Sequence, residues 1–420
     1  MSKSKPRGWA SNPTPLDPDH RQGGCSNPPW TTTQEISLGA LDARRAAIGA
    51  CGPSEDRAVR VPVVFRWAAR LYPAFWLRWS FTMHRFLPVL LLVVAVDHVA
   101  SSQEPRAHDL PLRPEHVHWG YFDARVPPVL RIASGDRVRI ETMIAGGLQR
   151  VRMAGVTESE IPDSLKSVEL GVVERGPGVQ PMTGPIFVEG AEPGDTLDVR
   201  ILGIEFLHPF GVNVFTPSGG VLPDEFPYAH ARLLRWRSGS DRVEFAPGVL
   251  LKLAPFFGTI GVAPPPIAGR ISSRPPGWHG GNFDNKDLVV GSTLYLPVHN
   301  SGALLSVGDG HGMQGDGEVS GTALETSLRG TFEVRVRKGQ RLRWPRAETP
   351  SQYMTMGLHE DLNEATRLAT REMVEFLVAE KGLSRDEAYV LCSLSADLHV
   401  TQAVDQTKGV HATIAKAIFK

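Results

Sequence analysis

The sequence predicts a mainly β protein, a sandwich or barrel of short strands, with C-terminal helices and a minor α+β part. Three features lead there. Glycine (42) and proline (34) are frequent among the 420 residues, which suits short strands and defined turns better than long helices. Runs that alternate apolar and polar residues follow turns ending in Gly-Asp. Apolar residues at helical spacing stand out only after residue 360. Composition narrows the partners as well. Lys plus Arg equals Asp plus Glu, 45 against 45, so no net field draws the chain to nucleic acid or to an anionic surface.

Along the chain, the first 82 residues are rich in Pro, Arg, Ser and Gly and show neither strand nor helix period. Met83 then opens a different segment. His84-Arg85 is followed by an apolar run from Phe86 to Val96, and the small residues Ala100, Ser101 and Ser102 come next. This is the layout of a secretory signal, with a basic start, an apolar core of about 7–15 residues and a small-residue cleavage site. The expectation is therefore an upstream extension over 1–82, a signal peptide over 83–102 with Met83 as the true start, and a globular body over 105–420. The mature chain would be secreted or periplasmic and keep no membrane anchor.

Strands are expected where Val129-Leu130-Arg131-Ile132 leads through Gly135-Asp136 into Val138-Arg139-Ile140-Glu141-Thr142. The pattern recurs at Gly194-Asp195 before Leu197-Asp198-Val199-Arg200-Ile201, and a third Gly-Asp turn is expected at Gly308-Asp309. Thr331 to Val336 alternates cleanly. Residues 207–256, rich in Pro and aromatics, read as a long irregular insertion. A helix is expected from Asp361 to Lys381, closed by Gly382, with Ser384 capping a second one. Both helices should cover a sheet.

The three cysteines, Cys25, Cys51 and Cys392, are too scattered for a thiolate zinc site or for a disulfide framework in the body. Cys392, among apolar neighbours, reads as a buried structural thiol.

Chemistry-bearing side chains concentrate between 278 and 325. One cluster is Trp278-His279-Gly280-Gly281-Asn282-Phe283-Asp284-Asn285, and the other runs from Gly308-Asp309-Gly310-His311 to Glu318 and on to Glu325. Asp309 and His311 are two apart and share a side if a strand arrives there, and Asp316 and Glu318 repeat that spacing. Imidazole with carboxylates is a ligand set for Zn²⁺, and carboxylate-rich sets also suit Ca²⁺.

These blocks resemble the signatures of the acetamidase/formamidase family. The resemblance rests on Gly280 to Asn285, Gly308-Asp309-Gly310-His311, Gln314 to Glu318 and Gly321-Thr322-Ala323. It extends to Gly258 to Pro264, Asp397 to Gln402, His118 to Phe122 and the Gly176 and Thr183 segments. It implies a mainly β fold of sandwich-like halves, intimately packed, and a homo-oligomer. It also implies hydrolysis of small amides to acid and ammonia, with a divalent metal, zinc ahead of calcium. On that footing His311 and Asp309 are expected to bind the ion, with Asp284 completing the site and His118 as a further ligand or oxyanion donor. Glu325 and Glu318 are the expected general acid/base groups, with Asp284 beside them. Asn282, Gln314 and Phe283 are expected at the substrate, and His399 is a reserve ligand. Phe283 and Gly312-Met313 depart from the family pattern, where a Met and small residues are usual, and so bear on the acyl pocket.

Two other readings stand beside this one. A metal-free amidase is disfavoured because no nucleophile segment stands out. A secreted β-sandwich that binds a ligand or Ca²⁺ without catalysis, and a hydrolase of another small C–N bond, share the same features.

Overall fold

The computed structural model describes residues 105–420. The expected signal at Met83, the segment before it, Cys25 and Cys51 lie outside those residues. Alternation produces the sheets as expected. In Arg137–Glu141, Val138 and Ile140 are fully buried while Arg137 and Arg139 are exposed. This strand belongs to a nine-stranded sheet whose centre is Leu328–Arg337, Thr196–Phe206 and Thr293–Pro297. The far edge of that sheet is Gln352–His359, Lys408–Ala415 and Ala396–Gln402.

A second nine-stranded sheet is built around Leu305–His311. One side of that strand pairs with Phe256–Gly261 along most of its length. On the other side its first half pairs with Pro181–Val188, and its last two residues pair with Glu325–Thr326. Apolar side chains of both sheets form one shared core, including Val199, Leu294 and Phe332 from the first and Ile186, Phe257 and Leu305 from the second. Burial of that surface, at about 25 cal/mol per Å², is what holds the sheets together.

Two short helices, Gly147–Met153 and Asp163–Gly171, lie outside the expected C-terminal region, and the two C-terminal helices start where the sequence indicates. In Leu362–Lys381, the Asp361 carboxylate accepts from the Asn363 and Glu364 N–H groups, and Gly382 closes the helix at φ 68°. Ser384 and Glu387 form a reciprocal capping box for Arg385–Ser395. Ala369, Met373 and Leu377 pack with Val410, Ala412 and Ile414, so the helices cover one end of the first sheet. Cys392 is a buried free thiol in that layer.

Two expectations are corrected. Residues 207–256 are not an irregular insertion. Phe210–Phe215 and His230–Arg235 form a hairpin joined to the second sheet through Glu325, and Arg242–Ala246 pairs with Val249–Lys252. The hairpin strands are partly covered on both faces, so no clean alternation marked them. Nor is Gly308-Asp309 a turn. It lies inside Leu305–His311, held by pairing on both flanks, although Asp309 takes φ 59°.

Candidate active site

The site gathers on this second sheet. Asp309 and His311 come from the end of Leu305–His311, and Glu325 stands opposite His311 in register. Asp284 follows the strand Gly280–Asn282, and Glu318 comes from the loop before Glu325. Asp405 comes from the turn between the last two strands. All six are buried. The five carboxylates among them border, with neighbours, a cavity of about 250 Å³, and His311 lies behind them.

Room for this crowd depends on Gly258. Register places it opposite Asp309, between the pairs Phe257–Gly310 and Thr259–Gly308. A Cβ there would sit 2.5 Å from Asp284 Oδ1 and 2.9 Å from Asp309 Oδ2. Three of the carboxylate residues also take left-handed backbone: Asp284 (φ 52°), Asp309 (φ 59°) and Glu318 (φ 45°). L-residues adopt that region at a cost of order 1–3 kcal/mol, and such outliers concentrate at functional sites.

His311 Nε2 lies 3.3 Å from Asp309 Oδ1, 3.4 Å from Glu325 Oε2 and 4.0 Å from Asp284 Oδ1. These contacts are close but poorly aligned: both His311 nitrogens, Asp284 Oδ1 and Glu325 Oε2 are buried without a hydrogen bond. One ligand atom from each of Asp309, His311 and Glu325 falls within 4.8 Å of the others, as does one from each of Asp284, His311 and Glu318. Buried polar atoms left unmatched are costly, and several converging on one point suit a cation. The residues present therefore fit a divalent metal.

Electrostatics point the same way. Burial, then the charges of Glu318, Asp405 and Asp309, holds Asp284 well above the usual carboxylate range. Glu318 is raised by burial and then by Asp405, and Glu325 and Asp405 are raised chiefly by burial. Burial also acts to raise Asp309, but the adjacent His311 cation outweighs it and lowers that group. For His311 burial favours the neutral ring, yet Glu325 and Asp309 overcome it and push the imidazole well above its ordinary value. The carboxylates demand positive charge at their centre.

Asn282 organises them. Its Nδ2 donates to Asp284 Oδ2 and to Asp405 Oδ2, each at 3.0 Å. Its Oδ1 accepts from the Thr259 hydroxyl at 2.6 Å, and that hydroxyl lies 3.2 Å from Asp309 Oδ2. Asn282 thus fixes carboxylates while also bordering the cavity.

Other expected site residues are placed elsewhere. Phe283 does not line the cavity; its side chain is packed in the core between the sheets. The strand ends at Asn282, where the Phe283 N–H bonds back to Gly281 O at 3.0 Å, and past this turn Phe283 enters the core while Asn282 and Asp284 border the cavity. His118 is not a ligand. Its Nδ1 is 2.8 Å from Tyr121 O and its Nε2 2.9 Å from Ser306 Oγ, and burial pushes its pKa down to about 4. Gln314 donates to the Asp284 carbonyl at 2.7 Å, which ties two site loops together, and borders a neighbouring pocket. His399 stacks on His411 and approaches Asp316, which also pairs with Lys286, so neither His399 nor Asp316 joins the cluster.

Sequence reasoning missed Asp405 and Thr259. Asp405 follows the Asp397–Gln402 block in a polar turn, and nothing local separates it from an ordinary turn residue.

The sequence profile of the acetamidase/formamidase family matches residues 111–268 and 268–420. A formamidase of Methylophilus methylotrophus is 29% identical over 246 residues, 46% of this chain and 58% of that protein. An acetamidase of Mycolicibacterium smegmatis is 26% identical over 287 residues, 54% of this chain and 66% of that protein. The chain thus spans less than two thirds of these curated relatives. Solved structures are covered almost fully. A predicted acetamidase/formamidase from the thermophile Thermoanaerobacter tengcongensis superposes with a TM-score of 0.65 at 30% identity, over 74% of this chain and 97% of that one. An acetamidase from Bacillus halodurans gives 0.63 at 33%, over 74% and 98%.

Proposed function

The chain belongs to the acetamidase/formamidase family, and from that premise we propose that its cavity hydrolyses small aliphatic amides, of the size of formamide or acetamide, to a carboxylic acid and ammonia. The observation that carries this reading is the convergence of buried, unbonded atoms of His311, Glu325 and Asp284 beside Asp309 and Glu318. It is an arrangement that makes sense around a reaction centre and costs stability otherwise.

An amide resists attack because its carbonyl is a poor electrophile and its amine a poor leaving group. Hydrolysis needs an activated water, a counter-charge for the oxyanion and a proton for the departing nitrogen. His311, Asp309 and Glu325 would hold a divalent cation, zinc ahead of calcium, with Asp284 nearby. When bound, such an ion lowers the pKa of its water to about 7. Glu318 borders the cavity on the loop side and is the group we assign to carry the proton to the leaving nitrogen. Asn282 and Thr259 keep Asp284 and Asp309 in place. The cavity volume of about 250 Å³ suits a small substrate with its water.

Ammonia release from formamide and acetamide, measured before and after chelation and again after adding Zn²⁺ or Ca²⁺, tests this. Loss on chelation and recovery with one ion is the expected result. Full turnover in protein shown to be metal-free would remove the cation from the mechanism. No ammonia from either amide would remove the hydrolase.

A further inference from the structure

Amide hydrolysis, the reading on which this inference rests, puts negative charge on the carbonyl oxygen when water adds. The five carboxylates cannot face that charge. Two other cavity-lining side chains have donors to spare.

Arg150 belongs to the short helix Gly147–Met153. Its guanidinium lies 3.8 Å from Glu325 Oε1, beyond hydrogen-bond range, and makes no hydrogen bond among the described residues. Arg274 differs: it borders the same cavity, but its Nε donates to Asp405 Oδ1 at 3.3 Å. Arg150 reaches the cavity by lying back over Gly146, which adopts φ 70°. A Cβ at 146 would fall 2.3 Å from Arg150 Nε, so only glycine leaves that path open. The Arg150 side chain is 22% exposed, which partly removes its competing water.

Gln180 is buried, and its orientation is fixed by its acceptor end. Oε1 accepts from the Ser273 hydroxyl at 2.7 Å and from the Val179 N–H at 3.2 Å. Nε2 is therefore the free end, and it donates to nothing among the described residues. Both side chains border the one cavity that also holds Asp309, Glu318 and Glu325.

We propose that Arg150 and Gln180 form the oxyanion-binding pair of this site, donating to the carbonyl oxygen of the scissile amide. As the oxygen of water bonds to the carbonyl carbon and gives a proton to Glu318, the π pair moves onto the carbonyl oxygen, and these N–H groups face it. On collapse that pair re-forms the C=O bond, the C–N bond breaks, and the nitrogen leaves as ammonia after taking the proton from Glu318. Arg150 and Gln180 give hydrogen bonds throughout and exchange no proton. Donors fixed before the reaction need no reorganisation as charge develops, and removing one from such a site costs about 10²–10³ in kcat.

The test compares Arg150→Ala, Arg150→Lys and Gln180→Leu with the wild type on acetamide and formamide. Expected is a fall in kcat of about 10²-fold for Arg150→Ala, with KM changed by less than about threefold and metal content and Tm preserved. Lysine at 150 should recover part of the rate, and millimolar guanidinium should partly rescue Arg150→Ala, which a merely structural arginine would not show. A kcat for Arg150→Ala within about threefold of wild type overturns the proposal, as does a loss that neither lysine nor guanidinium repairs. Should Arg150→Ala not fold, the Lys and Gln180→Leu variants decide on the same criterion of kcat falling with KM held. Calorimetric titration with formate separates this inference from the activity it assumes. If the wild type releases no ammonia, the amide reading fails, and formate affinity unchanged by Arg150→Lys and Gln180→Leu then overturns the donor pair as well, whereas a tenfold weakening upholds it.

Discussion

His311 and Glu325 face each other across neighbouring antiparallel strands, with Nε2 3.4 Å from Oε2 and neither atom hydrogen-bonded. Register puts the two residues opposite one another, although the loop between them runs out to Glu318 and back. A strand pair is a rigid way to hold two ligand groups at a fixed separation, and Asp309, two residues before His311, completes the group.

Removing the imidazole should abolish both ion binding and turnover. His311→Ala is expected to retain no stoichiometric metal by elemental analysis and to release no ammonia above background. Retention of both would end the cation reading.

Gly258→Ala adds one methyl group where Asp284, Asp309 and His311 meet. Overpacking of a filled interior costs about 1–3 kcal/mol. Here the neighbours that must move are the functional ones, so metal affinity should fall along with Tm. A variant with wild-type affinity and rate would show that the cluster is looser than the structure implies.

Asn282→Ala leaves Asp284 and Asp405 without the carboxamide that bridges them. Loss of groups that orient metal ligands lowers affinity by about 10–100-fold. Isothermal titration with Zn²⁺ should read that loss. An unchanged affinity would return Asn282 to a purely substrate-facing role.

His118 makes stability depend on pH. Its folded pKa is about 4 against 6.5 for an ordinary imidazole, so between those values the unfolded chain binds a proton that the folded one does not. Stability is complete above about pH 6.5 and declines as pH falls toward 4, by about 3 kcal/mol in all. His279, pushed down to about 3 by burial and the nearby His299, adds a decline of the same sign. In His118→Gln, urea unfolding at pH 8 and pH 5 should differ by less than in the wild type. An equal difference in the two proteins would mean that His118 does not stay neutral in the fold.

Several features could be read directly. The caps at Asp361, Gly382 and Ser384, and the alternation over Val138–Ile140, are local signals, and each formed as expected because its physics lies within a few residues. Asp309, His311, Asp284, Glu318 and Glu325 were also visible as a density of carboxylates around one histidine. Phe283 and His118 were misplaced because both lie in matching blocks. Only the turn after Asn282 for Phe283, and the hydrogen bonds to Tyr121 and Ser306 for His118, turn them from the cavity.

By itself the sequence determined the β character, the caps of the two C-terminal helices, the family and most of the acidic cluster, since these follow from short-range periodicity and local motifs. Tertiary structure alone decided which atoms meet. Asp405 meets Asn282, 123 residues away in the chain, and through it Asp284, and Gln180 and Arg150 come to the same cavity from separate segments. Such meetings depend on strand order and register, and no window of sequence encodes the distance between side chains that pairing brings together.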